Sequence, residues 1–268
     1  MTPLADQLDK LGLRHAARHL DDILALAIKR RLGPADLLEY IVEQEQLARA
    51  ARSLEGRVKR SRLGRFKPIA DFDWAWPKRI DRQAVDAALR LEFLDGARNV
   101  ILVGNQGLGK SMIAQNIAHQ AVLAGHSVLF LTAAQLLLDL AGQDSARGLE
   151  RRLRHYSSRT SLLVLDEIGY LSYDPRNADL LYQVVNRRYE RKSLILTTNL
   201  SFSQWPTIFP NAGSAIALID RLIHHSDIIA IEGDSYRHRE AEAERKRTTT
   251  SARSRSSRTT SSSCAIRW

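Results

Sequence analysis

Eight consecutive residues, Gly104-Asn105-Gln106-Gly107-Leu108-Gly109-Lys110-Ser111, carry the clearest chemistry in the chain. Glycines at the first, fourth and sixth places let backbone N–H groups close around an anion. A lysine and a hydroxyl follow at once. An apolar run, Val100-Ile101-Leu102-Val103, precedes the loop, and a helical pattern beginning Met112-Ile113-Ala114 follows it. Strand, glycine loop and helix in that order satisfy G-x-x-x-x-G-K-[ST], the pattern that wraps the phosphates of a nucleotide. The helix adds its N-terminal donors and the positive end of its dipole. On this reading Gly104 to Met112 bind the phosphate chain. Lys110 reaches the β- and γ-phosphates, and Ser111 ligates Mg²⁺.

Two acids at the end of a second apolar run, Leu162-Leu163-Val164-Leu165-Asp166-Glu167, extend this chemistry. Asp166 is placed to hold Mg²⁺, through water. Glu167 is placed to polarise the water that attacks the γ-phosphorus. Asn199 ends a third apolar run, Ser193 to Asn199, and offers an amide to the γ-phosphate or the attacking water. The transition state also needs positive charge, which an arginine supplies in cis or in trans. Arg221, in Asp220-Arg221-Leu222, is the candidate finger toward a neighbouring subunit's nucleotide, and Arg237 is a candidate second phosphate sensor. The Asn-Lys-x-Asp element that reads guanine is missing, which favours ATP over GTP. The histidines and the one cysteine show no metal-ligand spacing.

The elements that must position these residues alternate. Strands are expected at 100–103, 127–132, 162–167, 193–199 and 227–231. Helices are expected at 82–94, after the glycine loop, and at 133–141, 178–191 and 215–224. Such alternation argues for a parallel five-stranded sheet flanked by helices, with the site at the carboxyl ends of the strands. Before it, residues 1–65 read as a small all-helical domain: one helical stretch over 3–31 with a break near Gly12, then another over 35–62. Residues 66–81 are irregular and aromatic and read as a linker pinned by Phe72, Trp74 and Trp76. Its sharper readings put those aromatics on the adenine side of the site, or Lys78 and Arg79 on a phosphate backbone. The nucleotide domain spans 82–240. The tail 241–268, mostly Ser, Thr and Arg, reads as disordered.

The chain has 268 residues and a net charge of +10. That balance points to a polyanionic partner, nucleic acid before membrane. The charge is concentrated: Arg49, Arg52, Arg57, Lys59, Arg60, Arg62, Arg65 and Lys67 crowd one stretch with only Glu55 opposing them. Contact with duplex DNA phosphates, largely independent of sequence, is therefore expected from Arg49 through Arg62 and from Lys78 and Arg79. The single cysteine, Cys264, permits no disulfide framework, as expected of a cytosolic protein. The charged N-terminus reads as no signal peptide, and no apolar run is long enough to span a bilayer.

With these motifs in order the chain resembles the IstB family, ATP-binding helper proteins of insertion-sequence transposition related to DnaC-type helicase loaders. The likeness runs from residue 1 to about 240. It rests on Gly104 to Ser111, Leu165-Asp166-Glu167-Ile168-Gly169-Tyr170, Arg188-Tyr189-Glu190, Thr197-Thr198-Asn199-Leu200 with Trp205, Ile219-Asp220-Arg221-Leu222, and Glu232-Gly233-Asp234-Ser235-Tyr236-Arg237. The resemblance implies an AAA+ ATPase with a helical N-terminal domain. It implies ATP-dependent homo-oligomers on duplex DNA, with ATP at subunit interfaces, and delivery of target DNA to a partner transposase. Lys110, Ser111, Asp166, Glu167, Asn199 and Arg221 then take the roles given above. The tail beyond about Ala241 has no counterpart in the family pattern. A replicative helicase loader would share the core, but the strongly basic helix end favours the DNA-binding helper. A small-molecule kinase would not require Glu167 after Asp166.

Overall fold

The structure is a computed structural model, and it describes residues 3–170, 173–210 and 212–236. The chain divides into two compact units, one ending at Arg60 and the other beginning at Ser61. The expected tail over 241–268 lies outside the described residues.

The first unit is helical: α1 (Pro3–Lys10), α2 (Arg14–Arg18), α3 (Leu20–Arg30) and most of α4 (Pro34–Ser61). Gly12, at φ 80°, makes the turn after α1. The unit's apolar core is small: Ala5, Ala16, Ala17, Leu20 and Ile23. A polar centre supplements it. The buried Glu45 carboxylate accepts hydrogen bonds from the His15 N–H at 2.7 Å, the Ala16 N–H at 3.3 Å, Arg52 at 2.9 Å and Arg49 at 3.3 Å. Arg49 also donates to the Gly12 carbonyl at 3.0 Å. Burial opposes ionisation of Glu45, but these donors outweigh it and hold its pKa below the usual value.

The second unit is built on one sheet in the order β1-β6-β2-β5-β4-β3. Its strands are β1 (Arg79–Ile80), β2 (Asn99–Gly104), β3 (Val128–Thr132), β4 (Leu162–Ile168), β5 (Leu194–Thr198) and β6 (Ser226–Glu232). The expectation of five parallel strands is corrected to six in a mixed sheet. β1 pairs antiparallel with β6, Arg79 opposite Glu232 and Ile80 opposite Ile231. Two residues at the end of a proline-containing, aromatic stretch give no periodic signal, and β6 alone supplies their pairing. The other five strands run parallel. Helices α5 (Arg82–Leu89), α6 (Lys110–Leu123), α7 (Ala133–Ala141), α8 (Ala146–Arg154), α9 (Pro175–Arg188) and α10 (Ala212–Ile223) complete the unit.

Local chemistry sets their starts. Asp81 caps α5, a Thr132–Gln135 capping box opens α7, and Asp174 caps α9 ahead of Pro175. The polar stretch 143–159, which carries no element in the sequence reading, folds as α8 and one π-helical turn. Buried Leu153 and Tyr156 anchor it. The fully buried Arg188 donates to the carbonyls of Tyr156 at 2.6 Å, Thr160 at 2.9 Å, Ser161 at 2.8 Å and Ser193 at 2.6 Å. It thereby ties the entries of β4 and β5 to the end of α9, and burial pushes its pKa down to about 9.

The stretch 63–76 is a strap along one face of α6. Asn116 accepts from the Ile69 N–H at 2.9 Å and donates to the Lys67 carbonyl at 3.0 Å, while Gln115 donates to the Leu63 carbonyl at 3.2 Å. Phe66 packs edge-on against His119. Positions 115, 116 and 119 share a helix face by the i, i+3, i+4 rule.

Candidate nucleotide site

β2 ends in the middle of the sheet, and the glycine loop leaves from its carboxyl end. The β6 backbone approaches so closely there that a Cβ on Gly104 would stand 2.2 Å from the Ile231 carbonyl oxygen. Only glycine fits. Gly109 takes φ 85° at the start of α6, and a Cβ on it would meet the Phe72 ring at 2.6 Å. No side chain caps that helix start, so its N–H donors face the loop. Lys110, the first residue of α6, is buried. Its Nζ donates to the carbonyls of Gly104 and Asn105, each at 2.7 Å, which holds the ammonium in the loop.

β5 lies between β2 and β4 and carries the link between the loop and the acids. The Ser111 hydroxyl donates to Asp166 Oδ1 at 3.0 Å. The Thr197 hydroxyl also donates to Asp166 Oδ1, and it accepts the Glu167 N–H at 2.9 Å. Asp166 is buried and Glu167 exposed. The register between β4 and β5 shifts between Leu165 and Ile168, and Glu167 stands at φ 63°. This is a bulge, unusual in a parallel pair, that turns the glutamate out of the strand's alternation. A left-handed non-glycine residue stores strain of about 1–3 kcal/mol and is held by its surroundings. Here the holding contact is Thr197, to which the sequence reading gave no role. Its signal was a pair of polar residues, Thr197-Thr198, closing an otherwise apolar buried strand.

Asn199 follows β5. Its Oδ1 is buried with no hydrogen-bond partner among the described residues, and a Cβ on Gly169 would come within 3.1 Å of it. A buried, unsatisfied amide oxygen is costly unless a ligand or water completes it. On the other side of the loop lies a cavity of about 380 Å³, lined by residues 107–112 and by Arg65, Phe72, Trp76 and Tyr236. Its size suits a small organic ligand. Phe72 and Trp76 thus line the cavity beside the loop, whereas Trp74 packs against Phe72, with Arg82 over its ring. The Tyr236 N–H donates to the Gly107 carbonyl at 3.0 Å, and the Trp76 indole to the Asp234 carbonyl at 2.9 Å.

The remaining candidates sit elsewhere. Arg221, on α10, donates to Asn186 Oδ1 at 2.9 Å and stacks over Tyr182 at 4.9 Å, both on α9. Arg237 lies outside the described residues. Of the basic run, Arg49 and Arg52 serve Glu45, an acid outside the run, and Arg57 donates to Ser53 at 2.7 Å. Lys59, Arg60 and Arg62 are exposed. Lys78 pairs with Asp234 at 3.0 Å and Arg79 lies 3.9 Å from Glu232, so acids offset both charges.

Known proteins resemble this chain in sequence and in fold. A protein from Pseudomonas aeruginosa, named for ATP binding in insertion sequence IS21, is 38% identical over 230 residues, 86% of each chain. One from Bacillus thuringiensis subsp. berliner, named likewise for insertion sequence IS232, is 33% identical over 87% of this chain and 93% of its own length. Among solved structures, that of DnaI superposes with a TM-score of 0.52 at 19% identity, covering 61% of this chain and 90% of DnaI. That likeness is one of fold, the P-loop AAA+ fold. The model of the IstB-like ATP binding proteins matches residues 6–244, and the chain belongs to that family.

Proposed function

We propose that this chain is an ATP-hydrolysing helper of insertion-sequence transposition. It assembles on duplex DNA when ATP is bound and delivers that DNA to a partner transposase, which it stimulates. The observation that carries the ATPase part is the bonding of Ser111 to Asp166 and of Thr197 to both Asp166 and Glu167, beside a loop that holds the Lys110 ammonium. Family membership and the relatives' insertion-sequence names support the transposition part.

The residues fit a magnesium nucleotide. An uncapped helix start, a buried ammonium and an orphaned amide oxygen all suit a phosphate chain with its metal and water. Ser111 and Asp166 would hold Mg²⁺, which supplies charge neutralisation on the phosphate oxygens. Gly104 to Met112 wrap the phosphates, and Lys110 exchanges its loop carbonyls for phosphate oxygens. Glu167 takes the proton of the attacking water, and Asn199 orients that water. Arg221 supplies transition-state charge to a neighbouring subunit, and the exposed Lys59, Arg60 and Arg62 meet DNA phosphates.

The test uses the Glu167→Gln variant, which retains ATP but hydrolyses it about 10²-fold or more slowly. Its binding to random-sequence duplex and single-stranded DNA is measured with ATP, with ADP and without nucleotide. Cooperative, salt-sensitive duplex binding that needs ATP is the expected outcome. No duplex binding with ATP, or a preference for single strands, overturns the proposal in favour of a helicase loader.

A further inference from the structure

At the amino-terminal edge of the parallel strands, opposite the candidate nucleotide site, three potential ligands converge. Glu190 lies in the turn between α9 and β5, and His224 and His225 lie in the turn between α10 and β6. One ligand atom from each falls within 4.8 Å of the other two. The two turns are anchored. The His225 carbonyl accepts the Asn99 N–H of β2 at 2.7 Å, and Glu190 sits in a left-handed conformation at φ 56°. The two imidazoles meet edge to face, with ring centroids 4.2 Å apart. His225 Nε2 is 3.2 Å from Glu190 Oε1, and the Tyr189 hydroxyl lies 2.8 Å from His224 Nδ1.

We propose that Glu190, His224 and His225 form a binding site for a borderline divalent transition metal such as Zn²⁺, with Tyr189 as its outer support. Two imidazoles and a carboxylate are the donor set of zinc and its neighbours, whereas Mg²⁺ and Ca²⁺ take oxygen donors. A hydrogen bond from the non-ligating nitrogen fixes which ring nitrogen is offered to a metal. Tyr189 is placed to do this for His224, leaving Nε2 for the ion. All three ligands are exposed, so an ion enters freely and solvent completes its coordination. The metal would clip the end of α9 to the end of α10. Arg221 projects from α10 onto Asn186 and Tyr182 of α9, so the clip would stiffen the pair of helices that carries the candidate finger. The site shares no residue with the nucleotide site and does not depend on the proposed ATPase.

The test is calorimetric titration of Zn²⁺ into tag-free, chelator-washed full-length protein, with Co²⁺ absorption as the reporter of coordination. One saturable ion per chain is expected, together with Co²⁺ bands of low-coordinate geometry and a thermal midpoint that rises with Zn²⁺. Glu190→Gln and the His224→Ala/His225→Ala double variant should lose all three signals. Tyr189→Phe should keep the stoichiometry but weaken affinity about tenfold. ATP binding by each variant, unchanged from the parent, shows that the fold is retained. Absence of saturable binding in the parent overturns the proposal. So does binding unchanged in the double variant, which would move the ion elsewhere, the adjacent rings of His15 and His19 being the next candidates.

Discussion

Glu167 is an exposed carboxylate on a strained backbone, and its place depends on a neighbouring hydroxyl. Thr197 bonds both the Glu167 N–H and the Asp166 carboxylate. Replacing Thr197 by Val keeps the shape and removes both bonds. We expect kcat for ATP hydrolysis to fall about 10- to 100-fold, as a misplaced catalytic group does, with KM for ATP nearly unchanged. Thr197→Ser should restore most of the rate, which a merely structural defect would not allow. Lys110→Ala should act differently and abolish nucleotide binding itself, measured by fluorescent-nucleotide titration, because in the proposed role the ammonium would reach the phosphates in the ground state too. The difference in legibility has the same cause. Gly104 to Ser111 and Asp166-Glu167 are contiguous patterns whose chemistry follows from residue type and spacing. The role of Thr197 exists only once β5 lies between β2 and β4, and strand order is not written in any local pattern.

At the scale of elements, apolar periodicity reveals the buried strands of the sheet to within a residue or two and α7 from Ala133 to Ala141, because burial imposes it. It misses β1, which is too short to have a period. It misses α8, whose arginines outnumber its apolar anchors. It reads 66–81 as a linker because its prolines and three alternating aromatics give no long period; the order of 63–69 comes from α6 and that of Trp76 from Asp234 and Tyr236. Asn116 is the clasp of that strap, buried and bonded to three backbone groups, including the Met112 carbonyl at 2.8 Å. Asn116→Ala should therefore destabilise the protein by about 1–3 kcal/mol. It should also weaken ATP affinity, because Phe72 and Trp76 line the cavity beside the loop. A variant that loses stability while keeping its affinity would separate the strap from the nucleotide. A second joint responds to pH. Glu150 on α8 bonds Arg187 on α9 at 2.8 and 3.0 Å and Arg154 at 2.9 Å, and these hold its pKa at about 2 against an ordinary 4.5. A lowered carboxylate contributes stability above its unfolded pKa and loses it as pH falls through the folded value. The α8–α9 link should thus loosen between about pH 4.5 and 2, seen as faster hydrogen exchange in α8, with a small effect because the pair is only partly buried.

For the whole molecule the question is which part of a charge of +10 the proposed function would bring to DNA. The basic run looks uniform in sequence, since Glu45, which divides it, lies outside it and is buried by contacts from α2. Arg49 and Arg52 compensate that carboxylate, whereas Lys59, Arg60 and Arg62 are exposed. Counterion release gives each lost phosphate contact about one unit of the slope of log K against log salt. In the Glu167→Gln background with ATP, Lys59→Ala/Arg60→Ala should lower that slope by about two and weaken all duplex sequences alike. Arg49→Ala/Arg52→Ala should leave the slope nearly unchanged and lower the thermal stability of the N-terminal unit by about 1–3 kcal/mol, because Glu45 is left buried without its cations. If both pairs reduce the slope equally, Glu45 does not withhold its arginines from DNA, and the whole of the run meets phosphate.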